Sequence, residues 1–255
     1  MNKHWIGLAT TIGVLAIVTS STLPMIVNAE AGADCPRENR CVRIDVEVKT
    51  EDTGTGSVVV RSSSLGTVVA PGLILTHNHH AFLDQRGADV VVVLTESTGT
   101  SWLISLSDLT LLPLDAGTLL IQLPEDVTLT DDTRLTMALD PSVQPGDWLN
   151  IAYRRPTTGS IERATFEVVQ VLADRIRLAD PQHLIQPGSS GGGAYLGDRL
   201  IGNTWSIDKV EGQAIGSFTV ALLPESLPAA VAALAGTRHD REPDTGDEDL
   251  MGWAK

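Results

Sequence analysis

Short apolar runs recur about every ten residues from residue 42 onward, and this spacing is the feature that most limits the fold. Runs such as GTVVA, LILT, DVVVVL and GTLLIQL are bounded by Gly, Pro, Asn, Asp or Ser, and VRIDVEV alternates apolar and polar residues. Both patterns are typical of β-strands. Only residues 223–236, LPESLPAAVAALAG, carry a helical stripe that a glycine closes. The sequence therefore predicts an all-β barrel or sandwich with one C-terminal helix.

The chain is predicted to divide into four segments. Residues 1–29 are interpreted as a signal peptide, 30–125 as a first β unit, 126–236 as a second β unit with the helix, and 237–255 as a disordered acidic tail. The boundary between the β units falls near LPEDVTLTDD, residues 123–132, because strand-like runs lie on both sides of it.

The N-terminus predicts export. Lys3 precedes residues 5–28, which contain no charge, and small residues up to Ala29 suit a cleavage site. Because the uncharged run is long enough to span a bilayer, an uncleaved membrane anchor is the alternative to a secreted or extracytoplasmic protein. Cys35 and Cys41 are the only cysteines, and in an exported chain such a close pair predicts a disulfide.

The chain is strongly acidic, with a formal net charge of -14. Nucleic-acid backbones and anionic membrane surfaces would repel it, so neither is expected as a partner. Charge does not predict the fold or the oligomeric state.

Two stretches carry candidate chemistry. THNHH, residues 76–80, places three histidines after an apolar run and fits either a set of metal ligands or a general base. PGSSGGG, residues 187–193, surrounds Ser190 with glycines, which permit a sharp turn and allow neighbouring N–H groups to point at one site. A serine hydroxyl needs a base within hydrogen-bond reach, and a histidine oriented by a carboxylate is such a base.

Taken together, GTVVAPGLILTHNHHAF and PGSSGGGAYLGDRLIGNTW resemble the motifs of chymotrypsin-like serine peptidases. They are most similar to those of the bacterial, cysteine-poor HtrA-like branch, and no PDZ domain is expected after residue 236. The resemblance implies a double six-stranded β-barrel and a peptidase that acts on polypeptides through an acyl-enzyme, without cofactor or metal. It also implies His79 as the general base and Ser190 as the nucleophile, with the N–H groups of Gly188 and Ser190 forming the oxyanion hole.

The resemblance offers two aspartates as the group that orients His79. Asp108 lies in SDLTLLPL and Asp115 in DAGTLLIQLP, and each precedes an apolar strand. Asp115 is preferred because the strand after it leads directly into the linker between the β units. The alternative for either residue is an aspartate that caps a turn.

The resemblance also implies a substrate pocket. Its base would be Leu184, and its wall would include Thr204, Trp205 and Ser206. An acidic residue is absent from the base, so an apolar or small side chain is expected rather than Lys or Arg. Ser189 occupies the position of the aspartate that pairs with a new N-terminus in vertebrate-type relatives, so activation by that salt bridge is not expected.

Two other functions fit parts of the sequence. One is a catalytically idle trypsin-like domain that binds peptides or proteins. The other is a zinc-dependent hydrolase that uses His77, His79 and His80. A zinc site needs three or four converging ligands, and Ala81 and Phe82 stand where a metallo-β-lactamase-like motif has Asp and His. His77 and His80 are therefore expected to be solvated or hydrogen-bonded structural histidines, and no metal is expected.

Export predicts two measurable properties of the mature protein. Protein purified from an exporting host should begin at Glu30, because cleavage follows Ala29. Cys35 and Cys41 should resist alkylation until they are reduced. N-terminal sequencing and mass spectrometry with and without reductant measure both properties. A membrane-embedded product that begins at Met1 would contradict cleavage and favour the anchor.

Overall fold

The computed structural model describes residues 41–52, 56–79, 90–129 and 135–239. The predicted signal peptide, Cys35, His80 and the predicted tail beyond residue 239 lie outside these ranges. Cleavage, the disulfide and the disordered tail therefore stay predictions. Cys41 begins the first strand and is buried.

The alternation read from the sequence appears directly in the first strand. Val42, Ile44 and Val46 are buried, and the residues between them are partly exposed. One face of the strand thus joins an apolar core while the other meets solvent, as expected for an antiparallel sheet. This core is built from Val, Leu and Ile side chains of the first β unit.

The first unit is a seven-stranded antiparallel sheet whose spatial order is β5-β4-β1-β2-β3-β7-β6. The strands are β1 (Cys41–Asp52), β2 (Gly56–Ala70), β3 (Leu73–Thr76), β4 (Val90–Glu96), β5 (Ser101–Ser105), β6 (Thr110–Pro113) and β7 (Leu119–Gln122).

The two edges of this sheet are consecutive in the chain. β5 ends at Ser105 and β6 begins at Thr110, and a 3-10 turn at Leu106–Asp108 connects them. The connection spans at most about 18 Å, so the sheet must curl until its edges approach each other. Pro113 lacks a backbone donor, which suits an edge strand. The first unit is therefore a half-barrel of seven strands, where the sequence predicted a closed barrel of six.

The second unit is a closed six-stranded barrel in the order β10-β13-β12-β11-β8-β9. Phe166 and Phe218 meet edge to face in its core, with ring centroids 5.0 Å apart. The all-β, double-barrel fold class is thus confirmed. The strands are β8 (Trp148–Arg154), β9 (Ile161–Val171), β10 (Arg175–Ala179), β11 (Gly193–Leu196), β12 (Arg199–Val210) and β13 (Gln213–Leu222).

The C-terminal helix α1 (Leu227–His239) packs against both units. It begins four residues later and ends three residues later than the predicted segment 223–236. The N–H of Leu227 donates to the carbonyl of Pro224, which closes a turn before the helix, and Pro228 then fits the first helical turn. Within the described ranges, no helix is both long and apolar enough to cross a membrane.

A backbone contact joins the loop that carries Ser190 to the first unit. The N–H of Leu65 on β2 donates to the carbonyl of Ser190 at 2.8 Å. Gly191 has φ +85° and lies so close to β2 that an added Cβ would be 2.1 Å from the Leu65 carbonyl oxygen and 2.3 Å from Oγ1 of Thr76. The missing side chain at Gly191 therefore allows the two units to meet at this point.

Substitution of Gly191 should measure this contact. Gly191→Ala adds a left-handed alanine and a clash with β2, so we expect a loss of at least about 3 kcal/mol in the free energy of unfolding. Gly212→Ala is the matched control, because Gly212 has φ +82° and nothing within 4 Å of its added Cβ. The control should lose only about 1–2 kcal/mol. Equal losses in denaturant unfolding would contradict the close approach of the loop to Leu65.

Candidate active site

The histidine stretch follows directly from the buried strand β3. Oγ1 of Thr76 donates to the carbonyl of Leu65 at 2.6 Å, which fixes the end of the strand. His77 is 8% exposed, and the chain then turns through Asn78 to His79, which is partly buried. The sequence left open whether His77 is solvated or hydrogen-bonded. Its burial excludes the solvated alternative.

The two histidines contact each other through their Nδ1 atoms. Nδ1 of His79 lies 2.8 Å from Nδ1 of His77, and the backbone N–H of His79 donates to the same Nδ1 at 3.0 Å. A backbone N–H can only donate, so Nδ1 of His77 is the unprotonated acceptor and its proton resides on Nε2. His79 then donates from its own Nδ1 and keeps Nε2 unprotonated.

The surroundings keep both rings neutral near pH 7. Burial, and secondly the charge of His79, lower the pKa of His77 from 6.5 to about 4. Burial also lowers the pKa of His79. The unprotonated Nε2 of His79 can therefore act as a base at neutral pH.

The loop before Ser190 contains a tight turn. The N–H of Ser189 donates to the carbonyl of Gln186 at 3.0 Å, with Pro187 and Gly188 as the central residues and φ +99° at Gly188. A proline followed by a residue with positive φ is characteristic of a type II turn. This turn sets the orientation of the Gly188 N–H, one of the two donors predicted for the oxyanion hole.

Neutral hydrogen bonds hold this loop on both sides. The buried hydroxyl of Ser189 accepts the backbone N–H of Arg154 on β8 at 3.1 Å. The N–H of Gly191 donates to the carbonyl of Thr204, and the N–H of Thr204 donates to the carbonyl of Gly192, both at 2.8 Å. Among the residues that the structure describes, the loop is thus held in place by uncharged hydrogen bonds.

The structure brings the predicted base and nucleophile to one junction of the two units. Leu65 connects them, because its N–H donates to the carbonyl of Ser190 while its carbonyl accepts from Thr76, immediately before His77. An added Cβ on Gly191 would lie 3.0 Å from the backbone nitrogen of His77. The chain at residues 76–77, just before His79, therefore lies next to the chain at residues 190–191.

Of the two candidate aspartates, Asp115 lies beside the histidine turn. Its carbonyl accepts from Nδ2 of Asn78 at 3.0 Å, and it precedes β7, the strand that pairs with β3. Its side chain is exposed, and Oδ1 accepts the N–H of Gly117 at 2.7 Å. The carboxylate thus caps the turn before β7. Asp108 lies farther away, before the edge strand β6.

The four predicted pocket residues fall in two places. Thr204, Trp205 and Ser206 follow one another on β12, beside the serine loop. Leu184 packs against the core of the second barrel and lines a cavity of about 390 Å³ with residues of β9 and the segment 179–182. That cavity does not include the three β12 residues.

Arg175 contacts the predicted pocket residue Trp205 but was not among the residues predicted from the sequence. Its guanidinium lies over the Trp205 ring, 4.0 Å from the ring centroid, in a cation–π contact. Arg175 is a strand residue of RIRLA, and only the pairing of β10 with β13 and of β13 with β12 brings it to Trp205. A local pattern therefore could not have found it.

A metal site is not formed by the residues that the structure describes. Among them, no group of three or more His, Cys, Asp or Glu side chains is arranged to hold an ion. His80, the third histidine of the cluster, lies outside these residues.

Comparisons with known proteins show which solved structures this architecture resembles. No protein-family model and no curated protein matches the amino-acid sequence. Among solved structures, the HtrA-type protease AlgW with a decapeptide is similar at 17% identity and a TM-score of 0.54, covering 76% of this chain and 62% of that chain. This chain thus spans about three-fifths of that protease.

Two scabies mite proteins are similar over most of their length. The inactivated protease paralogue S-I1 has 13% identity and a TM-score of 0.53, covering 75% of this chain and 94% of that chain. The inactivated paralogue S-D1 has 11% identity and a TM-score of 0.54, covering 76% of this chain and 92% of that chain. At such identities the likeness concerns the fold, and this chain has the fold of the chymotrypsin-like serine peptidases.

Proposed function

We propose that this protein is a secreted serine endopeptidase that hydrolyses peptide bonds through an acyl-enzyme. The observation that carries the proposal is the tautomer of His79. The contact with His77 puts the proton on its Nδ1 and leaves its Nε2 unprotonated, two residues after the point where His77 lies next to the loop of Ser190. A serine nucleophile needs a base in this state.

The reaction follows from the groups at this junction. Nε2 of His79 takes the hydroxyl proton of Ser190 while Oγ attacks the carbonyl carbon of the substrate. The N–H groups of Gly188 and Ser190 stabilise the negative oxygen, and the type II turn sets the first of these donors. His79 then returns the proton to the leaving amine, and water hydrolyses the acyl-enzyme by the same steps. Asp115, in the turn before β7, is proposed as the carboxylate whose negative charge favours the imidazolium form of His79.

A polypeptide is the proposed substrate. One similar structure, the HtrA-type protease AlgW, was solved with a decapeptide. Thr204, Trp205 and Ser206 lie along β12 beside the serine loop, where a substrate chain would approach Ser190. The acidic net charge also disfavours nucleic acids as ligands.

A binding module is the second candidate function. The carboxylate of Asp115 is exposed and caps the turn at Gly117, and the inactivated scabies mite paralogues share this fold. A trypsin-like domain that has lost turnover could still bind a peptide beside β12. Chemical labelling of the serine distinguishes this function from catalysis.

Labelling and substitution of Ser190 test the peptidase. A fluorophosphonate should label Ser190, and Ser190→Ala should abolish labelling and lower peptidase activity by several orders of magnitude, because it removes the nucleophile. Ser142→Ala, an exposed serine before β8, is the control and should keep both properties. Chelators should have no effect. Activity that a chelator removes and zinc restores, together with an active Ser190→Ala variant, would falsify the serine mechanism.

The pH profile tests the state of His79. Since burial lowers its pKa below 6.5, the ring stays unprotonated to lower pH than a free histidine. The acid limb of kcat/KM, which reports the base of the free enzyme, should therefore lie below pH 6.5. Initial rates from about pH 4 to 8, with melting temperatures at each pH, measure it. A limb above pH 6.5 would contradict this state and indicate a carboxylate that directly stabilises the charged ring.

A further inference from the structure

The atom that orients a catalytic histidine is the acceptor of its Nδ1 proton. In the serine-peptidase template a buried aspartate fills this place and fixes the tautomer of the ring. Here the atom at 2.8 Å from Nδ1 of His79 is Nδ1 of His77. The carboxylate of Asp115 instead accepts the N–H of Gly117.

We propose that His77 is the positioning residue of the active site: its buried Nδ1 accepts the Nδ1–H of His79 and thereby directs Nε2 of His79 to Ser190. This inference rests on the proposed peptidase function. It assigns to a neutral imidazole the hydrogen bond that a carboxylate makes in the template.

The backbone determines the direction of this hydrogen bond. The N–H of His79 donates to Nδ1 of His77 at 3.0 Å, so that nitrogen cannot carry a proton. The contact between the rings is therefore Nδ1–H of His79 to Nδ1 of His77. If His77 instead donated from Nδ1, that hydrogen would point at the N–H hydrogen of His79. His79 would then carry its own proton on Nε2, the nitrogen that has to act as the base.

The position of His77 is rigid. It follows the fully buried strand β3 and is itself 8% exposed. Its backbone nitrogen also lies against Gly191 of the serine loop. A ring held this firmly can fix a neighbouring ring, as a positioning residue must.

The remaining nitrogen of His77 argues against a purely structural role. Nε2 is buried, and within the described residues it has no hydrogen-bond partner. A buried polar group without a partner lowers stability, and a small apolar residue at this position would avoid that loss. The hydrogen bonds that His77 makes with its ring both involve His79.

A neutral acceptor can replace only one of the two functions that a carboxylate has in the template. It fixes the tautomer, but it adds no negative charge to stabilise the imidazolium that forms when Ser190 loses its proton. That proton goes to Nε2 of His79 and returns to the leaving amine, while the Nδ1 proton stays on His79 throughout. Burial is the main cause of the lowered pKa of both histidines, which keeps the two rings neutral in the resting site.

Nitrogen-15 NMR of the histidine-labelled protein tests the hydrogen bond without requiring turnover. We expect a protonated Nδ1 and a bare Nε2 for His79, the opposite pattern for His77, and a coupling across the N–H···N bond. A bare Nδ1 on His79 would overturn the proposal. If Ser190 resists the fluorophosphonate while the nitrogen pattern persists, the peptidase function fails and the hydrogen bond stands.

Substitutions test the catalytic consequence. His77→Ala should lower kcat roughly 10²-fold with KM changed less than about threefold, because the base loses its orientation. His77→Asn gives the same test if the alanine variant does not fold, with a smaller loss because its side-chain oxygen can still accept the proton. Asp108→Asn is the control and should stay within about twofold of the parent.

The variant His77→Asp distinguishes a positioning role of His77 from a purely structural one. His77→Asp should restore activity relative to His77→Ala and move the acid limb to higher pH, because a carboxylate beside His79 raises its pKa. The loop 186–193 has no titratable side chain, and the turn before β7 contributes Asp115, so the profile is repeated in Asp115→Asn. The proposal is overturned if Asp115→Asn costs about 10⁴-fold while His77→Ala stays within threefold.

Discussion

The contact between the loop of Ser190 and strand β2 is the constraint on which the site depends. One residue, Leu65, donates its N–H to Ser190 and accepts from Thr76 at the end of β3. The absence of a side chain at Gly191 allows this approach. The proposed nucleophile of the second unit and the proposed base of the first are therefore held close by uncharged hydrogen bonds, which vary little with pH or salt.

Neutral groups occupy two places where the resemblance to chymotrypsin-like serine peptidases would lead one to expect carboxylates. Ser189 holds the serine loop through the N–H of Arg154, and His77 contacts the ring of His79. A buried charge needs a well-placed partner to offset its desolvation, and neutral hydrogen bonds avoid that requirement.

Much of the fold could be predicted from local patterns. The alternation in VRIDVEV gave a strand with Val42, Ile44 and Val46 inside, and the glycines around Ser190 indicated a tight turn. The open edges of the first unit were not predicted, because strand closure depends on long-range pairing. The helix began later than predicted because a turn at Pro224 precedes it.

The site was less predictable than the fold, for a reason that lies in geometry. Sequence motifs locate residues along the chain, but they do not show which nitrogen of a ring faces which partner. The resemblance gave His77 a structural role because the matching motif position has no direct chemical role, and it gave Asp115 the orienting role because the strand after it leads into the linker; both stay predictions. The backbone turn at Asn78 folds the two rings onto each other, while the turn at Gly117 engages the carboxylate.

In the proposed site, a neutral imidazole replaces the carboxylate that accepts the Nδ1 proton in the template. A neutral acceptor at Nδ1 stabilises the imidazolium of His79 less than a carboxylate would, so the proposed proton transfer from Ser190 should cost more than in the template. Burial lowers the pKa of His79, so the ring stays unprotonated to lower pH than a free histidine. If the proposed function holds, slow catalysis that persists at lower pH is the expected consequence of a histidine at the position where the serine-peptidase template has an aspartate.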